Sequence, residues 1–267
     1  MLRTRLLTAL VALPTLGWLI FYAPAWLFVA FVLAVTAVGL DELGSMALRQ
    51  HPIAQMLAIV AGLAFAAAIV VDRAELLGLA LVATVVLGLL FTLAERDLTV
   101  GVSCLGHALL AACYGGLLLP HAAALRFLPH GDRWIFFTIG CVMASDTAAY
   151  VAGRTFGRTP LAPRISPNKT VEGGIGAIAG GLVAGAGIWA VLPPAGLGWQ
   201  GALAFGISAA VLGQTGDLLE SLLKRAYGAK DSGWVIPGHG GVLDRTDSLV
   251  LPFVLAYQIA ERASSMY

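Results

Sequence analysis

The 267-residue chain is 59% hydrophobic and only 12% charged, with a net charge of +1, whereas soluble domains carry about a quarter charged residues. That balance excludes a soluble globular domain, and the lack of a basic excess excludes a nucleic-acid binder. Cys104, Cys113 and Cys141 lie in apolar runs without CxxC or Cys/His spacing, so neither a disulfide framework nor a zinc site is indicated.

Apolar runs of about 17 to 25 residues read as membrane-spanning helices. They fall near 6–22, 25–46, 53–71, 76–94, 100–119, 134–156, 173–192, 202–227 and 248–262. The expected fold is therefore all-α, a polytopic integral membrane protein of about nine transmembrane helices. The first run follows Arg3 and Arg5, and Ala23-Pro24-Ala25 faintly resembles a signal-peptide cleavage site. Pro24 and the immediate second run favour an uncleaved first helix.

Lys and Arg concentrate in cytoplasmic loops. A cytoplasmic N-terminus and an external C-terminus place twelve of the 16 basic residues inside. Two polar stretches, 146–174 and 217–247, then face the cytoplasm, where nucleotides are. The chain reads as one membrane domain, 1–267, with an N-terminal helical region 1–99 and a catalytic region 100–267.

The second run ends with Asp41 and Glu42, for which solvation at the membrane interface is an adequate account and a functional role the alternative. The seventh carries Gly176-xxx-Gly180 and Gly181-xxx-Gly185, spacings that let helix backbones approach closely in lipid. Packing is the default account of these glycines, and Gly173 and Gly174 at its entrance offer the alternative of backbone N–H groups suited to an anion. Charges inside spans need a reason, because an Asp at a helix centre costs roughly 2.5 to 3.5 kcal/mol on insertion scales. Asp146 and Asp217 are the clearest cases.

On the eighth helix, Asp217, Ser221 and Lys224 follow one another at i, i+4 and i+7 on one face, with Arg225 four residues after Ser221. The alternative is a helix end solvating itself, with Asp217 paired to Lys224. Asp244 and Asp247, three apart at the start of the ninth helix, suit a hard divalent cation, or else complement the helix dipole. Between them and Lys230-Asp231 stands Pro237-Gly238-His239-Gly240-Gly241, permissive backbone with an imidazole donor for a phosphate. The chain has 13 Arg but three Lys, and Lys169, Lys224 and Lys230 all fall in the two polar stretches. An ammonium is a compact charge suited to phosphate oxygens.

The stretch S-x-x-K-R-x-x-x-x-K-D-x-x-x-x-x-P-G-H-G-G-x-x-D-R-x-D, from Ser221 to Asp247, resembles the motif of the phosphatidate cytidylyltransferase (CDP-diacylglycerol synthase) family. Upstream, Asp146-x-x-Ala149-Tyr150-x-x-Gly153-Arg154 and Ile165-Ser166-Pro167-x-Lys169-Thr170-x-Glu172-Gly173 are similar to that family's pattern. The resemblance runs from about residue 114 to the C-terminus. The first hundred residues resemble the family only as a hydrophobic helical region, and Asp41-Glu42 lacks the expected aromatic neighbour.

The resemblance implies transfer of a cytidylyl group from CTP to phosphatidic acid in the inner membrane, with Mg2+. It leaves open a second, monovalent cation and a homodimer. Asp217 and Asp244 are the expected metal ligands, with Asp247 and Asp231 in support. Lys169, Lys224, Arg225, Lys230 and Arg245 are expected on phosphates. Ser166, Ser221 and His239 would position them, and Asp146, Tyr150, Glu172, Gly240 and Gly241 would line the substrate site. A CTP-dependent lipid kinase and a cation-coupled transporter are the alternatives. Neither D-G-x-x-A-R nor a GxxxxGK[ST] loop occurs, which sets aside a CDP-alcohol phosphatidyltransferase and a P-loop fold.

Overall fold

The computed structural model describes residues 2–235 and 240–265, with side chains from residue 10 onward. Pro237, Gly238 and His239 of the glycine-rich turn lie outside the described residues. Helices α1 (Leu2–Phe21), α2 (Ala25–Ala47), α3 (Pro52–Val70), α4 (Ala74–Ala94) and α5 (Leu98–Cys113) follow in order. Their ends are set by local chemistry. Pro52 opens α3, where the missing N–H costs nothing. Asp97 caps α5, accepting from Thr99 N at 2.8 Å and Val100 N at 3.4 Å, which satisfies donors the first turn leaves orphaned.

At its C-terminal end α5 widens into a π turn, Tyr114–Leu118, followed by the short α6 (His121–Leu125) and then α7 (Gly131–Phe156). A two-stranded antiparallel hairpin, β1 (Pro160–Ala162) and β2 (Ser166–Thr170), interrupts the helices before α8 (Val171–Val191), α9 (Trp199–Ala226) and α10 (Leu243–Ser264). The hairpin pairs Pro160 with Thr170 and Ala162 with Ser166.

Among the described residues, seven helical stretches are long and apolar enough to cross a membrane: Ala25–Ala47, Pro52–Val70, Ala74–Ala94, Leu98–Leu125, Gly131–Phe156, Val171–Val191 and Trp199–Ala226. They coincide with the second to eighth expected spans, and the all-α polytopic architecture is as expected. The first expected span lies on α1, whose described apolar part, Leu10–Phe21, is shorter. The ninth lies on α10, which starts at Leu243 and so takes Asp244, Arg245 and Asp247 into its opening turns.

The helices group into two compact units. One comprises Met1–Leu19, Ala23–Ala124 and Tyr227–Arg245. Its core gathers Ala61, Phe65 and Ala112, with Leu77, Ala80, Cys113 and Leu117 packed against them. A Cβ on Gly116 would strike the Gly62 backbone, so α3 and the π turn meet main chain to main chain.

The other unit comprises Ile20–Tyr22, Leu125–Ala226 and Thr246–Tyr267. Its core centres on Trp134, Phe137 and Phe205, all at most 1% exposed, with the Phe137 and Phe205 rings 5.1 Å apart. Trp134 Nε1 donates to Ala195 O at 3.2 Å, which lets the indole be buried without an orphan donor. Here α8 packs on both α7 and α9, and its glycines explain how. Added Cβ atoms on Gly176 and Gly180 would collide with Ala152 and Ala148 of α7, while those on Gly181 and Gly185 would collide with Gly206 and Ala202 of α9. The two small-xxx-small spacings thus serve two different neighbours, and backbone contact replaces side-chain packing along both.

Candidate active site

In the unit built on α7 to α9, the hairpin brings Lys169 back to the helices. Its Nζ lies 2.6 Å from Asp217 Oδ2, with side-chain exposures of 22% and 34%. The hairpin is itself held to the start of α8. Thr170 caps that helix, accepting from Gly173 N at 3.1 Å, and Glu172 turns outward to accept from Arg158 N at 3.1 Å, Thr159 N at 3.2 Å and Thr159 Oγ1 at 3.0 Å. Glu172 therefore organises the approach to β1. Ser166 stands at the start of β2, opposite Ala162.

Ser221 Oγ donates to Asp217 Oδ1 at 3.3 Å, one turn along α9, as their spacing implies. Lys224 pairs with Glu220, whereas Asp217 pairs with Lys169. The Lys224 Nζ lies 2.6 Å from Glu220 Oε2, at exposures of 13% and 2%. Glu220 was not among the sequence-based candidates, although an acid four residues before a lysine is a readable helix pair. Arg225 Nε donates to Ile165 O at 3.4 Å, so α9 also reaches the turn of the hairpin.

Asp217 is close enough to exert a repulsive field on both Asp146 of α7 and Asp247 of α10. Asp217 of α9 thus lies within electrostatic reach of Asp146 and Asp247, and its own ion pair is with Lys169. Asp247 Oδ1 accepts from Ser248 N at 2.6 Å and from Ser248 Oγ at 3.2 Å. A Cβ on Gly216 would strike Asp247 O, so α9 meets the start of α10 at a glycine. Tyr150 accepts from Arg154 Nη1 at 2.7 Å on an exposed face of α7.

Among the described residues no three His, Cys, Asp or Glu side chains are gathered tightly enough to close on one metal ion. Carboxylate oxygens are the donors a hard divalent cation takes, and the charge of Asp217 is already opposed by the Lys169 ammonium.

In the unit containing α2 to α5, the polar residues collect around the start of α10. Asp244 Oδ2 accepts from Ser232 N at 3.0 Å, Ser232 Oγ at 3.1 Å and Gly241 N at 2.9 Å. Gly240, at φ +80, holds a left-handed conformation that favours glycine. Lys230, Asp231 and Arg245 are exposed. Glu42, which interface solvation was expected to explain, is instead 5% exposed. It accepts from Ser232 Oγ at 3.0 Å and from Val242 N and Leu243 N at 2.9 Å each. His239 lies outside the described residues.

A family model described as the cytidylyltransferase family matches residues 3–262. The chain is 47% identical over 133 residues to a phosphatidate cytidylyltransferase of Brucella suis, covering 48% of this chain and 47% of that one. It is 41% identical over 152 residues to the phosphatidate cytidylyltransferase of Bacillus subtilis, 56% of each chain. A phosphatidate cytidylyltransferase of Synechocystis is 44% identical over 132 residues, 48% of this chain and 43% of that one. The chain spans about half the length of the curated relatives it matches.

Proposed function

Since this chain belongs to the cytidylyltransferase family, we propose that it transfers the cytidylyl group of CTP to phosphatidic acid, releasing pyrophosphate and giving CDP-diacylglycerol. A phosphate oxygen of the lipid attacks the α-phosphorus of CTP. The bond from that phosphorus to the oxygen bridging it to the β-phosphorus breaks, and the electron pair leaves on pyrophosphate. The lipid phosphate is ionised near neutral pH, so no strong base is required.

The difficulty is to bring two polyanions together. Like unit charges about 5 Å apart repel by roughly 3 kcal/mol at an effective dielectric of 20, and several such pairs meet here. Catalysis of this kind is mainly positioning and charge neutralisation. The observation that carries the reading is the return of Lys169 onto Asp217, which joins the two polar stretches of the sequence in one region of a hydrophobic chain. Lys169, Lys224, Arg225, Lys230 and Arg245 would receive phosphates, and Ser166 and Ser221 would orient them. Asp217, with Asp146 and Asp247 beside it, would hold Mg2+, which when bound acts as a Lewis acid and template for phosphate oxygens. Asp244 and Gly241 keep the start of α10 in place, next to Arg245.

The proposed setting is the inner membrane with the N-terminus and both polar stretches on the cytoplasmic side, as the distribution of basic residues favours. An external reagent should label a cysteine placed at Ser265 and spare one at Trp234, which is 92% exposed in the second polar stretch. For the reaction, purified protein is given CTP labelled in the cytidine and phosphatidic acid in mixed micelles. Label entering lipid in step with pyrophosphate release is the expected result. Release of CDP with a phosphorylated lipid would replace this reading with a lipid kinase.

A further inference from the structure

Glu42 is a buried carboxylate near the end of a largely apolar helix, and its partners come from the far end of the chain. Oε1 accepts from Val242 N, while Oε2 accepts from Leu243 N and Ser232 Oγ. Val242 and Leu243 stand at the start of α10, where backbone N–H groups lack intrahelical acceptors and the helix dipole is positive. The carboxylate therefore caps α10 from another helix. It also bonds Ser232, so one side chain ties together two stretches that lie on opposite sides of residues 236–239.

The surroundings are shaped to this carboxylate. A Cβ on Gly233 would come within 2.5 Å of Glu42 Oε1, and one on Gly241 within 2.6 Å of Oε2. Gly39, one turn before Glu42 on α2, lies against Leu243, with 3.0 Å left for a Cβ. Ser232 Oγ is shared between Glu42 and Asp244, at 3.0 and 3.1 Å. Both acceptor oxygens are thus committed, and glycine stands wherever a side chain would displace them.

We infer that Glu42 is a positioning residue for the proposed transfer: by tying Ser232 to Val242 and Leu243 it fixes where Lys230-Asp231 and Asp244-Arg245 stand. The inference rests on the reading of this chain as a cytidylyltransferase. Glu42 touches no reacting atom and acts through the main chain that carries those residues. A carboxylate is required, since an amide has one acceptor oxygen and would turn an NH2 toward one of the two backbone donors.

The test uses the full chain purified in detergent, assayed with CTP and phosphatidic acid, comparing wild type with Glu42→Gln and Ser232→Ala. Glu42→Gln should raise the KM for CTP by about tenfold or more, the loss expected for hydrogen bonds to a charged group. It should leave the KM for phosphatidic acid unchanged and lower kcat by less than about threefold. Amide exchange should accelerate at Val242 and Leu243 while α3 and α5 keep their protection. Ser232→Ala removes one donor only and should shift both readouts the same way by less. An unchanged CTP KM in folded Glu42→Gln overturns the inference, as do equal rises in both KM values. Should Glu42→Gln fail to fold, an unaltered CTP KM in Ser232→Ala overturns it. A wild-type chain that forms no CDP-lipid sinks the cytidylyltransferase reading instead, and the exchange result then decides whether the tie itself exists.

Discussion

Lys169 and Asp217 form a 2.6 Å ion pair between β2 and α9, and each side chain keeps part of its surface in contact with solvent, 22% and 34%. Partly exposed pairs contribute only about 0.2 to 1 kcal/mol to stability. A role in holding phosphate and metal would be worth far more. Lys169→Met is therefore expected to change thermal stability little while lowering kcat/KM by about a hundredfold or more, the scale of losing a fixed charge at a phosphoryl centre. The Lys169→Met/Asp217→Asn double variant should lose less than the sum of the singles. Thermal unfolding and lipid-labelling assays on all three check this; additive losses would separate the two residues.

The Glu220–Lys224 pair is buried, at 2% and 13% side-chain exposure. Removing one member of such a pair costs about 3 to 5 kcal/mol, whereas replacing both with apolar residues of similar volume is often neutral. Lys224→Ala should lower the unfolding temperature markedly, and Glu220→Leu/Lys224→Leu should recover most of it. The recovered protein should remain inactive, because the ammonium proposed to meet phosphate is gone. Restored turnover in that double variant would make Lys224 a purely structural residue.

Gly181 and Gly206 face each other so closely that a Cβ on either would strike the carbonyl of the other. Overpacking of this kind costs about 1 to 3 kcal/mol, so Gly181→Val and Gly206→Val should each reduce stability by that amount. Gly187 has nothing within 4 Å of an added Cβ. Gly187→Ala should stay within about 0.5 kcal/mol of wild type. Thermal unfolding of the three variants in one detergent makes the comparison.

Chelation of divalent cations is expected to stop turnover and added Mg2+ to restore it. If Asp217 holds the cation, Asp217→Asn should raise the Mg2+ concentration for half-maximal rate by about tenfold or more, the scale of losing a charge-assisted contact. Asp146→Asn and Asp247→Asn should raise it by less. Asp244→Asn should also abolish turnover, because the amide keeps one oxygen for Ser232 and Gly241 but loses the negative charge. Mg2+ titrations of each variant distinguish these effects, and an unchanged requirement in Asp217→Asn would move the cation elsewhere.

The spans were legible because hydrophobic run length follows directly from bilayer thickness, and α2 to α9 lie where the apolar runs do. The Asp217–Ser221 contact was legible too, since both residues sit on one helix face. The pairing of Lys224 was not resolved, because Asp217 and Glu220 both lie within helical reach and only the fold assigns Asp217 to Lys169. The hairpin escaped notice because its strands, Pro160–Ala162 and Ser166–Thr170, are too short for an alternating pattern. Glu42 was misjudged for a different reason. Its position at the end of an apolar run predicts solvent, and nothing near it in sequence reveals that its acceptor capacity is filled by Ser232, Val242 and Leu243.

The two glycine-lined flanks of α8 have a kinematic consequence. One residue step turns a helix by about 100°, and a roll of that size would swing Ile175, now 64% exposed, toward a gap cut for a single hydrogen atom. The helix has one permitted azimuth. Because Thr170 caps α8 and Lys169 immediately precedes that cap, the ammonium inherits this azimuth from main-chain contacts deep in the bundle. Rotation about the helix axis is thereby removed from the motions available to the charge. What remains is sliding along that axis, bending of the hairpin and the torsions of the flexible Lys169 side chain itself, and adjustment toward a ligand draws on these.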